Sequence, residues 1–213
     1  AHIEAGMRSF NLIPEEINRT LTDKLSSIRF CATKTSIQNL KKEGLHKNSY
    51  LTGDITKDNF SIFKNKINNS KIIENFGLSK RNFSLLTLHR EDSLNSKKEI
   101  INRLNYVNKE SKKIIIFPIH PRTKKQFKKF NIKLSDYIQI KKVNPIGYFD
   151  TLSLIKNSNQ VFTDSGGIQK EAYYLQTECI ILRSETEWPE IIEHLNPDKK
   201  IEIIFSELEE SRR

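Results

Sequence analysis

Strand-like and helical patterns alternate along the chain from Phe83 to Leu182. Short runs of Val, Ile, Leu and Phe are separated by amphipathic segments, a pattern typical of a parallel sheet with crossover helices. We predict strands at 83–87, 113–118, 137–140, 160–163 and 178–182, and helices at 97–110, 122–129, 148–157 and 168–175. This part of the sequence therefore predicts an α/β domain of the Rossmann-like type.

The first sixty or so residues have a different pattern, with more helix than strand. Helices are predicted at 14–27, 34–43 and 56–65, with one short strand at 29–31. Pro14 suits a first helical position, and Ile17, Leu21 and Leu25 recur at the spacing of one helix face, so we predict that they form a core stripe. The segment looks like the end of a second α/β domain with an uncovered apolar face.

The chain opens without an initiator Met and without the basic and apolar regions of a targeting segment. We therefore expect it to begin inside a longer protein. The hydrophilic stretch Asn65 to Ser70 is the candidate linker. The predicted domains are residues 1–66, the carboxy-terminal part of a first domain, and residues 67–213, a second domain.

Composition narrows the classes of partner. The longest apolar runs, such as 114–117, are far shorter than the ~20 residues that a bilayer crossing needs, so we predict no membrane association. The net charge of +10 raises nucleic acid as a partner, but lysine pairs are spread along the chain and favour a solvated surface or a small anionic ligand. Cys31 and Cys179 are far apart in apolar stretches, which favours buried thiols and a cytoplasmic location.

Charged segments follow three of the predicted strands. His89 and Arg90 come after the first strand of the second domain, His120 after the next, and Ser165 after the fourth. In open parallel sheets, ligands bind beyond the carboxyl ends of the strands. A single loop histidine is more often a surface or capping residue, but three such segments on one rim indicate an anionic ligand.

The third segment has the clearest chemistry. A strand, then Ser165-Gly166-Gly167, then a helix places free backbone N–H groups at a positive helix end, where phosphate oxygens fit. The alternative is an ordinary helix N-cap with a tight turn. Glu171, farther along that helix, could accept hydrogen bonds from ribose hydroxyls, or it could be a solvated glutamate.

Two carboxylates stand out near the start of the chain. Glu4 follows a predicted strand end, and Glu15 lies in the first turn of the first helix. They could form a pair for acid–base catalysis, which needs one ionised and one protonated group. They could equally be a turn residue and a helix-capping residue, because acidic side chains stabilise helix starts. Spacing alone does not choose between these interpretations.

A string of motifs from Ala1 to about Glu190 resembles the non-hydrolysing UDP-N-acetylglucosamine 2-epimerase family. In order, the motifs are H-I-E-A-G-M-R-S-F-N, P-E-E-I-N-R, F-C-A-T, T-G-D, L-H-R-E, F-P-I-H-P-R-T, T-D-S-G-G-I-Q-K-E-A and L-R-S-E-T-E-W-P-E. The resemblance implies two Rossmann-like domains of the GT-B type, here with the first one truncated at its amino-terminal side. It also implies a UDP-sugar substrate, with no metal and no redox cofactor.

The reaction implied by the resemblance is epimerisation at carbon 2 of a UDP-N-acetylaminosugar. Carbon 2 loses a proton while UDP leaves, a 2-acetamidoglucal forms, and both are added back with inverted configuration. Carried over by position, the resemblance implies that Glu4 and Glu15 are the catalytic glutamates and that His89 is the active-site histidine. It implies that Ser165, Gly166 and Gly167 hold the diphosphate, that Glu171 binds the ribose and that Arg183 lies in the same cleft. Arg90 and His120 fall where some family members bind a second, activating UDP-sugar.

The sequence departs from the family pattern at points that bear on the chain's expected activity and substrate. The family's catalytic Asp would precede Ala1, so this chain alone is expected to be inactive. Trp188 and the opening M-R-S-F-N look more like the branch that acts on UDP-2,3-diacetamido uronic acids. The alternatives are a glycosyltransferase of the same architecture and a non-catalytic UDP-binding fragment. A homodimer is expected when the protein is full length.

Overall fold

The computed structural model describes residues 1–10, 14–183, 186 and 188. The described chain packs into two compact units, Ala1–Phe63 and the residues from Lys64 onward. Each unit has its own sheet, and every strand pair in both sheets is parallel. This agrees with the α/β class that the sequence predicts.

The first unit, called unit 1, is built on a three-stranded sheet in the order β1-β2-β3. The elements are β1 (His2–Ile3), α1 (Pro14–Leu25), β2 (Arg29–Cys31), α2 (Lys34–Lys42), β3 (Ser49–Leu51) and α3 (Ile55–Asn68), the last of which continues beyond the unit. The core is small and centres on Ala5, Cys31 and Leu40.

The predicted core stripe of α1 is wrong for this structure. Ile17 is 49% exposed, Leu21 is 51% exposed and Leu25 is 85% exposed. The buried face of α1 is polar instead and carries Glu16 and Asp23. The helix is held by ion pairs and hydrogen bonds on that face, so its apolar stripe faces outward, in line with the uncovered face that the sequence predicts.

The second unit, called unit 2, is a five-stranded sheet in the order β6-β5-β4-β7-β8. Its core combines side chains from the sheet with one face of α5, among them Leu86, Phe117, Phe162 and Leu104. Its elements are α4 (Ile72–Asn75), β4 (Phe83–Thr87), α5 (Lys97–Glu110), β5 (Ile114–Pro118), α6 (Pro121–Lys129), β6 (Ile140–Val143), α7 (Tyr148–Asn157), β7 (Gln160–Thr163), α8 (Gly166–Tyr174) and β8 (Glu178–Ile181).

Two predicted elements need correction. The strand predicted at 137–140 is β6, and it begins only at Ile140, because a short 3-10 turn covers Leu134–Asp136 and Ile138 is 98% exposed. The predicted linker at Asn65 to Ser70 is largely helical, since α3 continues to Asn68. The short β3 and α4 are absent from the sequence prediction, whereas β1 corresponds to the strand end predicted at Glu4.

The prediction that both cysteines are buried thiols is confirmed. Cys31 and Cys179 are both buried free thiols. Burial raises the pKa of Cys31 to about 11 and that of Cys179 to about 12, so both stay protonated at neutral pH. Among the residues that the structure describes, no helix has the length and hydropathy needed to cross a bilayer.

Candidate functional site

The rim beyond β4, β5 and β7 is organised by one buried carboxylate, Asp164. Asp164 directly follows β7 and is fully buried. Its Oδ2 accepts hydrogen bonds from the backbone N–H groups of His89 at 2.9 Å and Arg90 at 2.7 Å, in the segment that follows β4. Because β4 and β7 are neighbours in the sheet, the carboxylate fixes the His89 segment against the start of α8.

Two histidines meet on this rim. The ring centroids of His89 and His120 lie 5.4 Å apart, although 31 positions separate them in the sequence. His120 caps α6 by accepting a hydrogen bond from the Arg122 N–H, and Arg122 Nη1 donates to the His89 carbonyl. Burial lowers the pKa of His89, as do the nearby charges of His120, Arg90 and Arg122, while Asp164 opposes the shift. The imidazole is therefore held neutral in a cationic setting that attracts anions.

The predicted cradle lies at the same rim. Ser165 is the N-cap of α8, and its Oγ accepts a hydrogen bond from the Ile168 N–H at 3.5 Å. Gly166 and Gly167 begin the helix, with Gly166 buried and Gly167 exposed. Among the described residues, a Cβ at Gly167 would meet only Ser165 Oγ, at 3.8 Å, so that part of the protein leaves room for a side chain there.

Glu171 is not a solvated surface glutamate. Its side chain is half-buried and lies in α8, which packs against α7, the helix that begins at Tyr148. Burial raises the pKa of Glu171 to about 7, and the neighbouring Tyr148 hydroxyl and the Lys170 charge oppose that rise. Arg183, which lies just beyond β8, is also largely buried.

In unit 1, Glu4 directly follows β1 and has a left-handed backbone conformation, with φ of 62°. This conformation is uncommon for a non-glycine residue and costs on the order of 1 kcal/mol. Glu4 lines a small pocket whose wall includes Phe30, Thr52 and Asp58. The predicted strand end at Glu4 is confirmed.

The turn after Glu4 is fixed by Asp23, a fully buried residue of α1. Asp23 Oδ2 accepts a hydrogen bond from the Gly6 N–H at 3.1 Å, and its Oδ1 lies 2.7 Å from His2 Nδ1. Gly6 has φ of +78°, and a Cβ there would lie 2.3 Å from the Ser36 carbonyl oxygen, so only glycine fits. The backbone on both sides of Glu4 is thereby held in place.

The two glutamates in the first turn of α1 have different environments. Glu15 is the exposed one, and its Oε1 accepts a hydrogen bond from Arg19 Nη2 at 2.5 Å. Glu16 is buried, and its Oε2 accepts hydrogen bonds from the backbone N–H and the hydroxyl of Ser9. Of the two, Glu15 is the one that a ligand can reach.

The structure brings His89, Arg90, His120 and the Ser165–Gly167 segment together on one rim. It places Glu171 on α8 and Arg183 just past β8, within the same unit. Two residues that fix segments carrying predicted site residues lie outside the predicted set: Asp164 in unit 2 and Asp23 in unit 1. The sequence signal for Asp164 was an acidic residue directly after a buried strand. Asp23 gave no signal, because its partners His2 and Gly6 lie 21 and 17 positions away.

A parallel sheet with a glycine-rich, anion-accepting helix start beyond a central strand is typical of nucleotide-binding Rossmann-like proteins. Residues 1–197 match the model of the family described as UDP-N-acetylglucosamine 2-epimerase. The chain belongs to this family.

Related proteins support this family membership. A UDP-N-acetylglucosamine 2-epimerase homolog of Methanococcus maripaludis is 40% identical over 199 residues, which cover 90% of this chain and 55% of that protein. A UDP-2,3-diacetamido-2,3-dideoxy-D-glucuronate 2-epimerase of Pseudomonas aeruginosa is 36% identical over 90% of this chain and 54% of that protein. The chain thus spans about half the length of these relatives.

The fold agrees as well. The crystal structure of Methanocaldococcus jannaschii UDP-GlcNAc 2-epimerase in complex with UDP-GlcNAc and UDP has a TM-score of 0.82 and 41% sequence identity, covering 91% of this chain and 56% of that one. The structure of the Neisseria meningitidis enzyme bound to UDP-GlcNAc has a TM-score of 0.78 and 30% identity, covering 90% of this chain and 55% of that one. The predicted GT-B-type, Rossmann-like class is confirmed by these neighbours.

Proposed function

We propose that this chain supplies the UDP-binding unit and two catalytic carboxylates of an enzyme that epimerises carbon 2 of a UDP-N-acetylaminosugar. The observation that carries the proposal is the rim of unit 2. There, the helix start at Ser165–Gly167, with Gly167 exposed, lies beside a neutral His89 and the cations Arg90 and Arg122. Such a rim is suited to a diphosphate.

In the proposed reaction, a carboxylate removes the proton from carbon 2 and the bond from carbon 1 to the diphosphate oxygen breaks. The products of this step are UDP and the 2-acetamidoglucal. Protonation of carbon 2 on the opposite face and return of the diphosphate to carbon 1 complete the inversion. We assign the proton transfers to Glu4 and Glu15, of which Glu4 is held at a strained turn and Glu15 is accessible.

The substrate is proposed to be UDP-N-acetylglucosamine, giving UDP-N-acetylmannosamine, or a diacetamido uronic acid analogue. Arg90 and His120 are proposed to bind a second, activating UDP-sugar, and Arg183 to contact the substrate. A cytoplasmic location is supported by the two buried free thiols. A homodimer of the whole protein is a prediction that light scattering can test.

UDP binding by this chain is tested by calorimetry. Gly166→Val places a branched side chain at the helix start and should abolish binding. Gly167→Ala is the sharper variant, because among the described residues its Cβ meets only Ser165 Oγ, at 3.8 Å, so we expect the fold to stay intact. We expect Gly167→Ala to weaken UDP binding without lowering the melting temperature. Equal UDP affinity in both variants and the wild type would refute the cradle.

The chemistry is tested by incubating candidate UDP-sugars in deuterated water, with this chain and with any longer polypeptide that contains it. Deuterium at carbon 2 of the product identifies an epimerase and its substrate together. Glycosyl transfer to an acceptor without deuterium at carbon 2 would instead support the glycosyltransferase alternative. UDP binding with neither reaction would support a non-catalytic UDP-binding protein.

A further inference from the structure

A buried arginine of α5, Arg103, bridges two segments at the rim of unit 2. Arg103 is 9% exposed. Its Nε donates a hydrogen bond to the Leu182 carbonyl at 2.9 Å, and its Nη1 donates one to the Ser93 carbonyl at 3.4 Å. Leu182 directly follows β8, and Ser93 lies in the short turn Asp92–Leu94 after β4. Since β7 separates β4 from β8 in the sheet, the guanidinium joins two segments that are not paired with each other.

The hydrogen bond to Leu182 lies where the pairing of β7 and β8 ends. The Leu182 N–H donates to the Thr163 carbonyl at 2.8 Å, just past the final residue pair of these two strands. The Leu182 carbonyl belongs to the next peptide unit, whose N–H is that of Arg183. Because a peptide unit is planar, the hydrogen bond from Arg103 fixes the backbone that leads into Arg183.

We propose that Arg103 is a positioning residue of the UDP site, which holds the backbone from which Arg183 reaches the ligand. This inference rests on the proposed UDP-binding function and extends it to a residue of α5 outside the predicted site. A guanidinium binds phosphate oxygens through a rigid planar fork of N–H donors, so its contact depends on orientation as well as charge. A small displacement of the Leu182 carbonyl therefore weakens the contact that Arg183 makes.

The second hydrogen bond of Arg103, to the turn after β4, bears less on the ligand. His89 and Arg90, the assigned residues of that segment, have their own anchor. Their backbone N–H groups donate to the Asp164 carboxylate at 2.9 and 2.7 Å. Loss of the Arg103 side chain should therefore act on Arg183 first.

Carboxylates compensate the charge of the buried guanidinium. Burial lowers the pKa of Arg103, and the charges of Glu99, Asp164 and Asp92 act in the opposite direction. Glu99 lies one turn earlier on α5, with its Oε2 3.6 Å from Nη1 of Arg103. An uncharged replacement would leave these carboxylates with less compensation, so the test includes a variant that keeps the charge.

The test measures UDP affinity by calorimetry in the wild-type chain, in Arg103→Met, in Arg183→Met and in the double variant. We expect Arg183→Met to weaken UDP binding about tenfold, a typical effect of losing a hydrogen bond to a charged group. Arg103→Met should weaken it about fivefold, because Arg183 is still present but is no longer held. In the Arg183→Met background, Arg103→Met should change the affinity by less than about twofold, since the residue through which it acts is gone.

Arg103→Lys keeps the positive charge but lacks the planar fork of donors. It should show the same dependence on Arg183 with a smaller loss, and it carries the comparison if melting curves show that Arg103→Met does not fold. Arg81→Met is the matched control, because Arg81 Nη1 donates to the Ser158 carbonyl at 2.8 Å at the opposite ends of β4 and β7. Its loss should leave UDP affinity unchanged.

A loss by the same factor with and without Arg183 would overturn the inference, because a merely structural effect of Arg103 does not depend on Arg183. Unchanged UDP affinity in both Arg103→Met and Arg103→Lys would overturn it as well. Wild-type affinity in Arg183→Met would remove Arg183, and Arg103 with it, from the site while leaving the cradle in place. Failure of the wild-type chain to bind UDP would refute the proposed UDP site itself, and the inference with it.

Discussion

The carboxylate of Asp23 lies 2.8 Å from the guanidinium Nη1 of Arg8, and both side chains are almost completely buried. Arg8 also donates hydrogen bonds from Nε and Nη2 to the two oxygens of Glu43, at 2.7 and 2.8 Å. A guanidinium shared by two carboxylates thus ties α1 and the end of α2 to the turn that carries Glu4. Bidentate pairs of this kind fix geometry as well as charge.

Asp23→Asn should destabilise unit 1 by about 3 kcal/mol, because removing one partner leaves buried Arg8 without part of its compensation. Urea unfolding followed by a probe in unit 1 measures the loss. The control is Glu74→Gln, which breaks the exposed Lys71–Glu74 pair and should cost less than about 0.5 kcal/mol. Equal stability of the two variants would show that Asp23 contributes no more than a surface charge.

Glu4→Gln and Glu15→Gln should each lower the rate of epimerisation by ~10²–10⁴-fold while sparing UDP affinity, because general acid–base catalysis contributes that much. The measurement is turnover and calorimetry side by side, on a polypeptide containing this chain that turns over substrate. Loss of UDP affinity with unaltered turnover would mean that the two residues are structural. Glu16→Gln is the contrast, because it loses the hydrogen bonds from Ser9 and should act on stability first.

Glu171→Gln should stabilise the chain at pH 8 and lose that advantage below about pH 4.5. The pKa of Glu171 is about 7 in the folded chain against 4.5 as its ordinary value, so the folded state binds more protons between these limits. Stability therefore falls as pH rises through this window, by about 2 kcal/mol once partial exposure is allowed for. Thermal melting from pH 4 to 8 measures this, and a pH-independent difference from the wild type would contradict the assignment.

Leu25→Lys should change the stability of this chain by less than about 0.5 kcal/mol, since Leu25 is 85% exposed. Leu40→Ala is the matched comparison and should cost about 3 kcal/mol, because Leu40 is fully buried in the core of unit 1. Denaturant midpoints of the two variants separate these cases. A large loss in Leu25→Lys would show that the stripe on α1 is covered in solution.

Unit 1 should exchange its amide hydrogens sooner than unit 2. The core of unit 1 is built around three buried side chains, whereas the sheet of unit 2 buries a far larger cluster. Local opening free energies follow such differences in buried apolar contact. Mass-spectrometric hydrogen exchange resolves the two units, and uniform protection across both would contradict this expectation.

Much of unit 2 was predictable because each of its central strands is a run of apolar residues between clear helical patterns. The strands Phe83–Thr87 and Gln160–Thr163 and the helices Lys97–Glu110 and Tyr148–Asn157 have the predicted bounds. β6 was misplaced because it is an edge strand with two exposed lysines, a composition that protects edges and hides the strand pattern.

The candidate site was predictable only where it is local in sequence. The cradle at Ser165 is contiguous, so strand, cap and glycines could be found together. The role of Asp164 depends on β4 and β7 becoming neighbours in the sheet, and no local pattern contains that information. The predicted burial of the apolar stripe on α1 is wrong for the same reason. Periodicity shows which face of a helix is apolar, but it does not show whether another element covers that face.

The contact between Asp164 and the His89 N–H spans 75 residues of chain, and this has a consequence for synthesis on the ribosome. At translation rates of 5–20 residues per second, β4 emerges roughly 4–15 s before the carboxylate that organises its rim. During that interval the loop after β4 has neither its anchor nor the neighbouring strand β7. If unit 2 binds UDP as proposed, the nucleotide cannot assist its early folding and would stabilise only a chain whose synthesis has passed α8.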